Sequence, residues 1–165
     1  MEKRDSQPGG KNPEKETIKT ALGKAMAICA KSEQCSNDIR SKLESWGLSA
    51  PDSISVIDKL IRENFINDQR YAESFVRDKY RHNKWGKLKI AAHLRSKNLD
   101  PEVISNALSL LDDDQYRQMI ADTLNAHRKF IKAKNKYDLK GKLLRFGLSK
   151  GFESHLIYDI LNETE

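Results

Sequence analysis

The 165-residue sequence predicts an all-α fold: three tandem three-helix repeats forming an elongated, curved array behind a disordered N-terminal tail. Three observations carry that expectation. Beyond the first residues, apolar side chains recur at spacings of three and four, with no two-residue alternation. Val, Ile and Thr never cluster between turn residues as strands require. One segment also appears three times, which is the sign of a repeat architecture. The copies read Ile39-x3-Leu43-x3-Gly47-Leu48-Ser49, Ile90-x3-Leu94-x3-Asn98-Leu99-Asp100 and Leu139-x3-Leu143-x3-Gly147-Leu148-Ser149, spaced 51 and 49 residues apart. The match runs on through Val56-Ile57 and Leu60, Ala107-Leu108 and Leu111, and Leu156-Ile157 and Ile160.

Residues 1–16 carry Pro8, Gly9, Gly10 and Pro13 without apolar periodicity and are expected to be disordered. The first repeat, 17–66, opens with a helix around Ala21–Lys31. The second, 67–115, opens with a helix that Asn67 or Asp68 caps and that runs to His82. The third, 116–165, opens with one over Tyr116–Ala133. Within each repeat the i, i+4 apolar pair faces a core. Gly47, Asn98 and Gly147 stand where a helix stop needs a positive φ. The Leu that follows closes the last turn, and Ser49, Asp100 and Ser149 offer caps to the next helix, with Pro101 suited to a first turn. No single unit of this kind buries both faces of its helices, so neighbours are expected to share a core.

The cysteine count, the polar N-terminus and the absence of a long apolar run point to a cytoplasmic chain with no membrane contact and no disulfide scaffold. Charge is laid out in blocks. From Arg70 to Leu99 nine Lys and Arg face only Glu73 and Asp78. From Asp100 to Asp122 six acids face Arg117, and from Asn125 to Lys150 nine Lys and Arg face Asp138. Such blocks suit contact with a polyanion or an acidic protein surface. Enzyme chemistry finds no constellation. His82, His93, His127 and His155 are scattered, Cys29 and Cys35 lack a second pair for zinc, and Asp112-Asp113-Asp114 reads as a solvated loop. No catalytic residue, metal or cofactor is expected. The candidate contacts are Arg70, Arg77, Lys79, Arg81, Lys84, Lys87, Lys89, Arg95 and Lys97, around a break at Trp85-Gly86, with Tyr71 and Phe75 read as core and Trp85 as a lid. A second patch comprises Arg128, Lys132, Lys136, Lys140 and Arg145.

The stretch Phe65-Ile66-Asn67-Asp68-Gln69-Arg70-Tyr71-Ala72 resembles a signature of the RecX family, the bacterial regulators of the RecA recombinase. Trp85-Gly86…Lys89-Ile90…Leu94…Lys97-Asn98-Leu99 and Ser36…Ile39-Arg40-x2-Leu43 are similar to further family patterns. The likeness extends from about Ala21 to Asn162, with Lys84 and Asn98 at usual glycines and Lys89 at a usual arginine. It implies a non-enzymatic protein, here expected as a monomer. Such a protein binds the RecA filament and its single-stranded DNA and limits filament growth, ATP hydrolysis, strand exchange and repressor cleavage. A single-stranded nucleic-acid-binding module without a recombinase partner, or a helical adaptor, stays open from the residues themselves.

Overall fold

Helices account for all regular secondary structure among residues 12–164, the residues described by a computed structural model. The chain divides into two compact units, one ending at Asn67 and the other beginning at Asp68.

The first unit holds α1 (Pro13–Lys31), α2 (Ser36–Ser45) and α3 (Ala50–Arg62). Asn12 caps α1 by accepting from the Glu14 amide at 3.1 Å, and Pro13 takes the first turn, where no amide is needed. The helix therefore starts before Glu16, where the tail was expected to end. The remainder of that tail, residues 1–11, lies outside the described residues. After α2, Gly47 adopts φ 96°, and the Leu48 amide returns to the Leu43 carbonyl at 3.1 Å, closing the turn as the spacing predicts. Ser49 then accepts from the Asp52 amide at 3.3 Å and starts α3. Ile39, Leu43, Val56 and Leu60 pack with Ala21 and Ala25 in one core. Each large aliphatic there contributes about 1.5–3 kcal/mol.

The second unit holds α4 (Asp68–Asp78), α5 (Lys87–Ser96), α6 (Pro101–Leu108), α7 (Asp113–Arg128), α8 (Lys136–Ser149) and α9 (Ser154–Glu163). A π-helical turn, Lys79–Asn83, extends α4 to a stop at Lys84, which sits at φ 56°. Asn98 at φ 58° ends α5 with Leu99 folded back onto Leu94. Asp112 is no loop residue: its carboxylate caps α7 by accepting from the Gln115 amide at 2.9 Å. Asp113 and Asp114 complement the positive end of that helix. It begins three residues before Tyr116 and stops at Arg128, short of Ala133.

The stop in the third repeat also moves. Gly147 does not end its helix; α8 runs through it to Ser149, and Gly151 at φ 87° makes the turn. Phe152 is the closing residue, its amide on the Gly147 carbonyl at 3.0 Å and its side chain fully buried. Leu148 is 46 % exposed, and Ser149 donates to the Phe146 carbonyl instead of capping α9. A shift of four residues is one helical turn, so the i, i+4 pattern reads the same either way. Packing decides the register, because Gly147 lies beneath Ile157, where a Cβ would come within 2.7 Å of its Cδ1. Two cores result. One joins Ala72, Val76, Ile90, Leu94 and Ile104, and the other joins Tyr116, Ile120, Leu124, Leu143, Phe152 and Ile157.

Candidate functional site

The π-turn exposes the basic face of the second repeat. One extra residue in the turn rotates the side chains that follow, and Lys84 in the left-handed region reverses the chain. Arg77, Arg81 and Lys84 are exposed on this segment, whereas Lys79, Lys87 and Lys89 are half-buried.

Trp85 explains part of that difference. The Lys79 ammonium lies 5.1 Å from its ring centre and the Lys89 ammonium 4.5 Å, so two cations share one indole. Phe75 meets Trp85 edge-on at 6.2 Å and stacks on His93 at 4.6 Å. Tyr71, Phe75 and Trp85 are thus half-buried at the edge of the core, not inside it.

A backbone clasp fixes this turn from the third repeat. The Gly86 amide donates to the Lys150 carbonyl at 2.7 Å, and the Leu88 amide donates to the Gly151 carbonyl at 3.1 Å. The two chains approach so closely that a Cβ on Gly86 would strike the Gly151 carbonyl, and one on Gly151 would lie 2.6 Å from the Lys89 nitrogen. Lys150 donates to the Asn83 carbonyl at 2.6 Å, and Lys89 donates to the Ser149 carbonyl at 3.5 Å. Burial, and then the nearby Lys89 ammonium, hold Lys150 below the ordinary lysine range. Lys87 is anchored too. Its amide donates to the Tyr116 hydroxyl at 2.9 Å, and its ammonium lies 4.7 Å from that ring and 3.6 Å from Asp113. Tyr116 in turn donates to Glu153 at 2.5 Å; burial, reinforced by that bond, pushes its phenol well above the usual tyrosine range.

Of the nine second-repeat candidates, then, Lys79 and Lys89 meet at Trp85, Lys87 is tied to α7, and Arg77, Arg81 and Lys84 stand free toward solvent. Arg95 is exposed near the end of α5, and Arg70 and Lys97 are half-buried. In the third repeat Arg128, Lys136 and Lys140 border one open hollow of 240 Å³ with Leu139, Leu143 and Leu161. Lys140 donates to Asn162 at 2.7 Å, while Lys132 and Arg145 are exposed. Tyr116, Glu153, Gly151 and the bridging role of Lys150 escape sequence reasoning. They stand roughly 30 to 70 residues from their partners, and the only signal was the glycine one turn beyond Gly147. Among the described residues, no three His, Cys, Asp or Glu side chains converge as a metal site requires, and no helix is long and apolar enough to cross a membrane.

Residues 67–108 match the family model described as the second three-helix domain of RecX. The chain is 29 % identical over 163 residues to "Regulatory protein RecX" of Clostridium beijerinckii, covering 92 % of this chain and 75 % of that protein. It is 33 % identical over 129 residues to the protein of the same name from Clostridium botulinum, covering 76 % and 59 %. The corresponding Mycolicibacterium smegmatis protein is 31 % identical over 118 residues, covering 68 % and 63 %, so the match spans under two-thirds of these last two relatives. Among solved structures, the crystal structure of RecX from Lactobacillus salivarius superposes with a TM-score of 0.79 at 24 % identity, over 90 % of this chain and 97 % of that one. A crystal structure of "regulatory protein RecX" gives 0.82 at 19 %, over 90 % and 74 %. These likenesses establish the fold.

Proposed function

Because the chain belongs to the RecX family, we propose that it is a non-enzymatic regulator that binds the RecA–DNA filament and restrains it. Filament growth would fall, and with it ATP hydrolysis, strand exchange and repressor cleavage, so the protein would modulate DNA repair and the SOS response. The observation that carries this reading is the clasped turn: Arg77, Arg81 and Lys84 project from a segment held in one conformation by backbone bonds to Lys150 and Gly151. A backbone fixed in advance spares the cost of ordering the turn when these cations meet phosphates or carboxylates. Lys132, Lys136 and Arg145, exposed on the third repeat, would be a second foothold, and two linked contacts along a polymer bind more tightly than either alone.

The test is the DNA-dependent ATPase of the RecA from the same organism, titrated with this protein from far below to above stoichiometry. Inhibition at a small fraction of the recombinase concentration supports capping or disassembly of filaments. Inhibition only near saturation of the DNA points to competition for the strand, and no inhibition by a folded sample refutes the reading. Salt-sensitive binding to naked single strands with an unchanged ATPase would move the assignment to a nucleic-acid-binding module without a recombinase partner. The informative variant carries Arg77→Gln, Arg81→Gln and Arg95→Gln. These side chains are exposed, whereas Lys87 and Lys89 also hold the fold.

A further inference from the structure

A groove runs along α7, with the π-turn forming one wall and α8 closing one end. Two adjoining hollows of 370 Å³ and 410 Å³ compose it, and Lys84, Asp122 and Thr123 line both. The floor is the α7 stripe Met119, Thr123 and Ala126, at spacings of four and three that place them on one face, with Phe130 following in the turn after the helix. Phe130 is 84 % exposed although it lines the groove, and Arg81 and Lys84 rise from the π-turn beside it.

We propose that this groove docks a segment of a partner protein, an amphipathic helix with apolar anchors along one face and carboxylates turned toward Arg81 and Lys84. The proposal rests on the filament-binding reading and names the surface that grips the filament's protein component. Charge and shape together select this occupant. Along α7 from Gln115 to Arg128 the floor extends about 20 Å at 1.5 Å per residue, room for a docked helix whose four anchors at i, i+3/4, i+7 and i+11 span about 16 Å. Ala126 and Phe130 offer aliphatic and aromatic surface that a sugar–phosphate chain would leave unused.

Nucleic acid fits the same groove poorly. Asp122 stands in both hollows, where its carboxylate repels the unbroken phosphate run of a strand, whereas a helix can keep its few carboxylates on the Arg81 and Lys84 side. One face of Phe146 is already covered by His127, stacked at 3.6 Å and 8°. Tyr80 is turned to the Gln115 carbonyl by its own hydroxyl bond at 3.2 Å. That leaves Phe130 as the one lining ring offering most of its surface, too little for the successive stacking a single strand uses.

A benzoylphenylalanine at position 130 keeps the exposed aromatic and reports its neighbour. The photoreactive full-length chain is irradiated on RecA filaments assembled on poly(dT), and the adducts are mapped by mass spectrometry. The expected adduct joins position 130 to a recombinase segment with apolar residues at helical spacing and at least two carboxylates. An adduct to the DNA, an adduct to a basic or wholly polar recombinase segment, or no adduct from a chain that still binds filament would each overturn the assignment. In parallel, Ala126→Glu, at an exposed position that glutamate suits in a helix, is expected to lower filament affinity at least tenfold with unchanged circular dichroism. Full affinity in that variant overturns the groove while leaving filament binding intact. Failure of the unmodified chain to bind filament overturns both readings.

Discussion

Gly151→Ala tests the clasp that holds the basic turn. An alanine at φ 87° carries the left-handed penalty of about 1–2 kcal/mol, partly offset by the smaller entropy of its unfolded chain, about 0.4–1 kcal/mol. The new Cβ also falls 2.6 Å from the Lys89 nitrogen, so the strands of the clasp must separate. The bonds from Gly86 to Lys150 and from Leu88 to Gly151 then weaken, at about 0.5–1.5 kcal/mol each. The sum is a loss of about 1–4.5 kcal/mol, which for a unit of this size lowers Tm by on the order of 5–20 °C. Gly141→Ala is the control within the same unit. It lies inside α8 with only the Arg145 guanidinium at 4.0 Å from an added Cβ, so helix propensity alone predicts a gain of about 0.5–1 kcal/mol. Urea unfolding followed by the fluorescence of Trp85, in a Trp46→Phe background, reads the clasp directly. A Gly151→Ala midpoint equal to the parent's would refute the reasoning, and so would a Gly141→Ala loss matching that of Gly151→Ala.

Tyr116→Phe leaves the Lys87 amide and the Glu153 carboxylate without their shared partner, and a loss of about 1–3 kcal/mol is expected in the same urea assay. Because the folded phenol titrates above the unfolded value of 10.0, its contribution is complete below pH 10 and fades as pH rises beyond it. The phenolate absorbance missing from Tyr116→Phe should therefore emerge only above pH 10, together with loss of helix; emergence near pH 10 in folded protein would contradict this. Lys84→Gly removes the strain of a left-handed lysine and is expected to stabilise the second unit by about 1 kcal/mol while weakening filament binding, two effects of opposite benefit in one variant. The triple arginine variant should flatten the salt dependence of binding by about one phosphate contact per arginine engaged, measured by anisotropy across ionic strength at constant helix content.

Much of the architecture can be read from local pattern. The Gly47-Leu48 and Asn98-Leu99 stops act as their spacing indicates, because a left-handed residue followed by an apolar closure is a short-range device. The charge blocks likewise foretell which segment is basic. They do not say which of its lysines face solvent, and here Lys79, Lys87 and Lys89 turn to Trp85, Tyr116 and Asp113.

In the third repeat, Leu139, Leu143, Gly147 and Gly151 follow one another at intervals of four, so two registers one turn apart look alike along the chain. Only the Ile157 side chain over Gly147 and the Lys89 backbone against Gly151 separate them. The periodicity of a helix is an internal property of about four neighbouring residues and is therefore written into the sequence. The clasp from Gly86 to Gly151 joins positions far apart in the chain, and their fit depends on how two cores pack, which no local spacing encodes.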